Sequence, residues 1–372
     1  MVLIEIKEEK EKVILVGVNL PGDPGPAGND GGMELPELSE LARTAGAEVA
    51  GEITQNLPTI NSATYVGKGK IEEIRAMIDD TGATGIICDD ELTTTQLRNL
   101  SDALDVKIMD RTLVILDIFA RRAASSEGKI QVELAQLRYS MSHLAGSRSY
   151  LSRLGGGIGT RGPGEKKLEM DRRLIGKRIS ILRDDIKQME NSREVRRKQR
   201  ERSNVPLAAI VGYTNAGKST LLNSLTSAGI LEEDELFATL DPVTRKLRLE
   251  NGQTILLTDT VGFIRKLPHN LIDAFRSTLE EAKYADILIH VVDASNPEMD
   301  RQMATVYDTL HDLDIAGKPI ITLFNKMDLV QDTEAGNILD FRADKSLSVS
   351  LKGRYKKTSL EKIRAALMEM TS

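Results

Sequence analysis

The chain has 372 residues, enough for two or three domains, and its 40% apolar and 28% charged residues are the balance of a globular protein. Aromatics are 3%, tryptophan is missing and Cys88 is the one cysteine, which excludes base stacking as the main binding device, a disulfide framework and a Cys-rich metal site. The net charge of −6 excludes a uniformly basic polyanion binder, yet residues 147–202 hold 17 Lys/Arg against 8 Asp/Glu, a local +9 that leaves −15 elsewhere.

Met1–Lys12 is charged and has no signal-peptide core, and no run approaches the roughly 18 apolar residues of a membrane span. A cytoplasmic monomer is expected. Lys12–Leu20 reads as a buried strand and Pro21–Gly32 as a loop. Helical spacing follows at Leu35–Ala45, then strands at Glu48–Thr54, Gly85–Cys88 and Val106–Asp110 alternate with helices at Lys70–Asp80 and Thr93–Ala103. Such alternation predicts a small parallel α/β subdomain over 1–115. Within it, Gly67-Lys68-Gly69-Lys70 is either a turn or an anion cradle at a helix start.

Residues 116–204 change character. Ile130, Leu134, Leu137, Met141 and Leu144 form one seam, and Leu168, Ile175, Ile179, Leu182, Ile186 and Met189 form a second. Gly146–Gly164 lies between them with seven glycines, so an antiparallel helical hairpin with a glycine-rich tip is predicted. Arg148, Arg153, Arg161, Arg172, Arg173, Lys177 and Arg178 surround that tip and suit RNA phosphates. The mixed-charge run Arg193–Arg202 reads equally as a solvated helix face.

Over 205–372 the alternation resumes, with strands expected at Leu207–Val211, Arg245–Leu249, Thr254–Thr258, Ile287–Val292, Ile320–Phe324 and Leu347–Ser350, and a closing helix at Ser359–Met370. Gly212-Tyr213-Thr214-Asn215-Ala216-Gly217-Lys218-Ser219 has the spacing G-x-x-x-x-G-K-[ST], follows an apolar strand and opens a helix that continues through Thr220. Its backbone N–H groups face phosphates, Lys218 reaches the β- and γ-phosphates, and the Ser219 hydroxyl ligates Mg²⁺. Asp259-Thr260-Val261-Gly262 follows the next strand; Asp259 is placed to hold Mg²⁺ through water and Gly262 to donate to the γ-phosphate. Phe237-Ala238-Thr239-Leu240-Asp241 lies between these motifs and offers Thr239 as a mobile third Mg²⁺ ligand that completes the coordination only when the γ-phosphate is present. Lys218, Thr239 and Gly262 are thus the candidate catalytic residues.

Asn325-Lys326-Met327-Asp328 selects the base. The Asp328 carboxylate accepts from guanine N1–H and its exocyclic amine, which adenine does not match. Asn325 orders the pocket, the Lys326 stem covers a base face, and Ser350-Leu351-Lys352 supplies backbone donors for O6. Asn215 stands where a K⁺ ligand stands in K⁺-dependent GTPases; a plain turn role is the alternative.

With these motifs the chain resembles the HflX family, in the Obg–HflX group of translation-associated GTPases. Tyr65–Ile74 (YVGKGKIEEI) and Gly155–Arg173 (GGGIGTRGPGEKKLEMDRR) are similar to its signatures, and the likeness extends over residues 12–352. The resemblance implies a P-loop GTPase domain preceded by a small parallel α/β subdomain and a helical hairpin. It also implies GTP and GDP as ligands, binding to the large ribosomal subunit and its RNA, and ribosome dissociation or rescue. The alternatives are a nucleotide-gated RNA-binding switch in ribosome assembly and an ATP-driven RNA remodeller. The last base loop reads Ser350-Leu351-Lys352 where the family has S-A-K or S-A-L, and contacts of the extra C-terminal domain of some members are not expected. Phe263 follows Gly262 where Ras-like enzymes place a water-orienting Gln, so slow intrinsic hydrolysis is expected.

Overall fold

The computed structural model describes residues 10–21, 35–144, 163–201, 205–226, 236–237, 239–266, 281–315, 317–330 and 338–371. The glycine-rich tip, with Arg148, Arg153 and Arg161, lies outside them. The chain divides into two compact units, Met1–Arg121 with Glu133–Leu182, and Arg122–Val132 with Arg183–Ser372.

In the first unit, β1 (Lys12–Asn19) is an unbroken apolar run because both of its faces are covered. It pairs in parallel with β2 (Glu48–Asn56) and β3 (Gly85–Cys88), and β4 (Lys107–Asp110) extends the sheet to the order β2-β1-β3-β4. The expected parallel subdomain is therefore present. Proline starts α1 (Pro36–Thr44), where its missing N–H costs nothing. In α2 (Lys68–Thr81), Ile71, Ile74 and Ile78 share the buried face, and Gly82 ends the helix at φ 65°. Its start is a turn in which Gly67 N donates to Gln55 Oε1 at 2.9 Å. Thr93 and Gln96 form a reciprocal capping box on α3 (Thr94–Leu104).

A helix that periodicity does not announce, α4 (Arg111–Arg122), continues directly from β4. It buries Val114, Ile115, Leu116, Ile118 and Phe119 on one broad face and leaves Ala120 and Arg121 exposed on the other. Its first residue, Arg111, is 1% exposed and paired with Asp89 at 2.7 Å and with Glu37.

Two long helices follow, α5 (Ser126–Leu144) and α6 (Pro163–Glu201). Glu133 meets Arg178 through two bonds of 2.7 and 2.8 Å, and Glu127 meets Arg193 at 3.0 Å. Moving backward on α5 moves forward on α6, as an antiparallel hairpin requires. Ile179 and Leu182 of the expected seam are buried, and Tyr139, outside the seam, is buried with them.

The second unit holds a six-stranded sheet of order β10-β9-β8-β5-β7-β6. The strands are β5 (Leu207–Gly212), β6 (Val243–Arg248), β7 (Thr254–Asp259), β8 (Ile287–Asp293), β9 (Ile320–Asn325) and β10 (Lys345–Ser348). All neighbours run parallel except the β6–β7 hairpin. Among the described residues the α-helices that follow β5 are α7 (Lys218–Thr226), α8 (Met299–Asp312) and α9 (Lys356–Met370). Leu221, Leu222 and Leu225 of α7 and Ile363 and Leu367 of α9 pack with Ile210, Ile289 and Leu323 in one core. Each such side chain contributes about 1.5–3 kcal/mol on burial. The parallel strands end on one edge of the sheet, where open α/β folds place their ligands.

Candidate active site

Three strand ends carry the motifs. β5 delivers Gly212, β7 delivers Asp259 and β9 delivers Asn325, all on that edge. Tyr213, Thr214 and Ala216 of the loop from β5 to α7 are buried, and Thr220 is half-buried in the first turn of the helix. Gly217 adopts φ +103°, and a Cβ there would lie 2.4 Å from Asn325 Nδ2, so the loop has its shape only with glycine. Asn215 sits at φ +58°, a left-handed conformation that asparagine tolerates well.

The segment after Asp259 folds back onto this loop. Thr214 N donates to Phe263 O at 2.8 Å, and Phe263 N donates to Gly212 O at 3.1 Å. Thr260 donates its hydroxyl to Ile210 O at 2.7 Å, and Val261 is buried. Gly262 then lies so close that a Cβ would stand 2.8 Å from Thr214 Cα and 2.9 Å from Lys218 Nζ. The Phe263 ring is 1% exposed, packed as core.

Ser219 Oγ, Thr239 Oγ1 and Asp259 Oδ2 form a triangle with sides of 2.8, 2.8 and 2.9 Å. Asp259 is fully buried and its Oδ1 has no hydrogen-bond partner. Burial raises its carboxyl above the usual range, opposed by Lys218 and the two hydroxyls. Three convergent hard oxygens, one from a carboxylate with an unsatisfied atom, fit a hard divalent cation such as Mg²⁺. Lys218 Nζ donates to Tyr213 O at 2.8 Å, and burial lowers its pKa to about 8 against the pull of Asp259.

At the other end of the site, Asn325 Nδ2 donates to Ala216 O at 2.9 Å and Oδ1 accepts from Leu351 N at 3.2 Å. Ser350 Oγ accepts from Asp328 N at 3.1 Å, and Ser350 N donates to Ser359 Oγ at 2.9 Å. The backbone donors of Ser350 and Leu351 are thus engaged inside the protein. Lys352 is exposed. Lys326 adopts φ 62° and pairs with Asp293 at 2.7 Å. Asp293 and Ser359 are site residues that sequence reasoning missed. An aspartate ending an apolar strand, followed by a serine that it caps, was the available signal for Asp293.

The loop with Thr239 is less uniform. Phe237 (φ 57°) and Leu240 are buried, Thr239 joins the oxygen triangle, and Ala238 lies outside the described residues. Asp241 is not among the groups gathered around Ser219. Its carboxylate accepts from Ala124 N at 3.1 Å and Ser125 N at 2.8 Å, and from the Ser125 hydroxyl. Among the described residues no helix is long and apolar enough to cross a membrane.

Three family descriptions match along the chain: "GTP-binding GTPase N-terminal" over 33–120, "GTP-binding GTPase Middle Region" over 122–200 and "50S ribosome-binding GTPase" over 207–326. A GTPase HflX of Lacrimispora saccharolytica is 62% identical over 94% of this chain and 81% of its own length. The GTPase HflX of Caldanaerobacter subterraneus subsp. tengcongensis is 53% identical over 90% and 77%, and that of Escherichia coli K12 is 42% identical over 81% and 71%. A crystal structure described as SsGBP with GDP covers 97% of this chain and 98% of its own, at 25% identity and a TM-score of 0.52. Likeness on this scale, over a P-loop whose lysine, serine and facing aspartate are assembled on one sheet edge, makes the chain a member of the HflX family of GTP-binding, GTP-hydrolysing proteins.

Proposed function

We propose that the protein is a ribosome-associated GTPase that binds the large subunit and dissociates or rescues ribosomes. The observation that carries this is the pairing of a GTPase domain matching a "50S ribosome-binding GTPase" description with a segment, residues 147–202, of local charge +9. The organisation proposed is 1–115, 116–204 and 205–372, supported by three family matches whose limits fall near those boundaries. The cytoplasm is the compartment in which such a factor works.

In this proposal GTP lies along the sheet edge with its base at Asp328 and its phosphates over Gly212–Ser219. Asp328 accepts from the guanine N1–H and amine, which gives a preference over adenine of about 1–3 kcal/mol. Lys218 turns from the Tyr213 carbonyl to the β- and γ-phosphates, and Gly262 N–H donates to the γ-phosphate. Ser219, Thr239 and Asp259 hold Mg²⁺. When bound, Mg²⁺ neutralises charge between the β- and γ-phosphates. Asn215 is the candidate K⁺ ligand, and equal turnover in Na⁺ and K⁺ would assign it to the turn alone.

The side chain that directly follows Gly262 cannot orient water, because Phe263 is an apolar ring in the core. Unassisted turnover is therefore expected on the order of 10⁻⁴ to 10⁻³ s⁻¹, as in Ras without its activator. Arg172, Arg173, Lys177 and Arg178, with the tip, are the proposed contacts to ribosomal RNA phosphates, so binding should weaken steeply with salt.

Sedimentation with separated subunits under GTP, GDP and no nucleotide tests the assignment. Association with the large subunit, strongest with GTP, is expected; no association in any state overturns it. Light scattering of whole ribosomes then distinguishes a splitting factor from a nucleotide-gated binding switch.

A further inference from the structure

The residue two positions beyond Thr239 is tied to a helix start more than a hundred residues earlier. Besides its bonds to Ala124 N and Ser125 N, the Asp241 carboxylate receives the Ser125 hydroxyl, and the oxygen of that hydroxyl accepts from Gly128 N at 2.9 Å. Ser125 immediately precedes α5 and is its N-cap, so Asp241 forms a second cap at the positive end of a 19-residue helix. A Cβ at residue 128 would lie 2.4 Å from Asp241 Oδ1, so the first turn of α5 admits this carboxylate only because Gly128 is there.

The link has little slack. Thr239 and Asp241 are separated by Leu240, which is itself 5% exposed, and two residues span at most about 7 Å. With Asp241 capped, Thr239 is confined to the neighbourhood of Ser219 and Asp259. With the cap lost, no other side-chain hydrogen bond among the described residues restrains Asp241.

We propose that Asp241 is a positioning residue that couples Thr239 to the first turn of α5, so that closure of the threonine on the nucleotide and order at the hairpin's base stabilise each other. The proposal rests on Thr239 being the γ-phosphate-dependent metal ligand. Such coupling is reciprocal: a partner that fixes α5 favours the hydrolytic arrangement, and GTP favours the arrangement of α5 that the partner meets. This supplies a route by which an enzyme without a water-orienting side chain is accelerated from outside its GTPase domain.

The test uses the full chain and compares wild type with Ser125→Ala, Gly128→Ala, Asp241→Ala, Asp241→Asn and Thr239→Ala. Amide hydrogen exchange over residues 122–132 is followed with GDP and with a non-hydrolysable GTP analogue, together with kcat and GDP affinity. In wild type the analogue is expected to slow exchange at Ala124 and Ser125 relative to GDP. Ser125→Ala, Gly128→Ala and Asp241→Ala should abolish that difference and lower kcat about tenfold while GDP affinity stays within about twofold. Asp241→Asn, which keeps an acceptor, should recover part of both. If Thr239→Ala leaves kcat and analogue affinity unchanged, the threonine assignment fails. If Thr239→Ala lowers kcat while the cap variants match wild type in exchange and kcat, the coupling fails and the threonine assignment stands.

Discussion

The side-chain amide of Asn325 donates to the backbone carbonyl of Ala216 at 2.9 Å, joining the base-selecting motif to the phosphate loop across 109 residues. The same amide accepts from Leu351 N, so one buried side chain holds three loops together. Asn325→Ala removes two hydrogen bonds inside a 3% exposed position. GDP and GTP affinities should both fall by about 1–3 kcal/mol, roughly fivefold to 150-fold. Titration with a fluorescent guanine nucleotide measures this. A loss confined to GTP would mean that Asn325 acts on the γ-phosphate end instead.

A substitution at Gly262 tests catalysis apart from nucleotide binding. Adding a methyl group there pushes against Thr214 Cα and Lys218 Nζ, both under 3.0 Å away. The chain must shift outward at the point proposed to meet the γ-phosphate. Gly262→Ala should lower kcat by about two orders of magnitude, the effect of losing one oriented donor. GDP affinity should change little. Single-turnover hydrolysis alongside GDP titration checks the split; a parallel loss of both would place the damage in the phosphate loop itself.

The elements that the sequence disclosed are those in which local pattern and burial agree. Gly85–Cys88 was read to the residue because a short apolar run bounded by turn signals has one good use in a parallel sheet. Helix α4 was not read. Its sequence, RTLVILDIFARR, opens on the short apolar run Leu113–Leu116, which by itself reads as well as a buried strand. The reversal of β6 against β7 had a signal in Asn251-Gly252, with Gly252 at φ +83°, since such a dipeptide turns a hairpin. In the site, the order of motifs along the chain placed Lys218, Ser219, Thr239 and Asp259 together, and their hydroxyl and carboxylate oxygens do meet. The partners of Asp241 were illegible, because a contact between residues 241 and 125 leaves no periodicity in either segment.

Arg111 tests the stability of the first unit. Its guanidinium is 1% exposed and sits between Asp89 and Glu37. Arg111→Ala strands two carboxylates in a poorly hydrated place and should destabilise that unit by about 3–5 kcal/mol. The proposed GTP site, with Lys218, Ser219 and Asp259, belongs to the other unit. Denaturant unfolding of the variant should therefore show an early transition that nucleotide does not shift. A single transition raised by GDP as in wild type would show that the pair is not a stability determinant.

His290 gives the second unit a pH dependence with a definite sign. The ring lies 1% exposed on β8, edge-on to Tyr307 at 5.2 Å, with Nδ1 lacking a hydrogen-bond partner. Burial lowers its pKa from 6.5 to about 4; Asp340 pulls the other way and Lys218 adds to the fall. A histidine depressed in the folded state leaves the unfolded chain binding the extra proton. Its contribution to stability is complete above pH 6.5 and is lost as pH falls from there to about 4, amounting to about 3 kcal/mol at the lower limit. Tyr307 and Thr322 both donate to Asp340, whose carboxyl lies below its usual range, so that group acts only at lower pH, outside this window. Unfolding free energies between pH 4 and 7 should slope more steeply in wild type than in His290→Asn. Comparing slopes within each protein removes the constant cost of the substitution, so equal slopes would mean that His290 takes up its proton in the folded protein as it does in the unfolded chain.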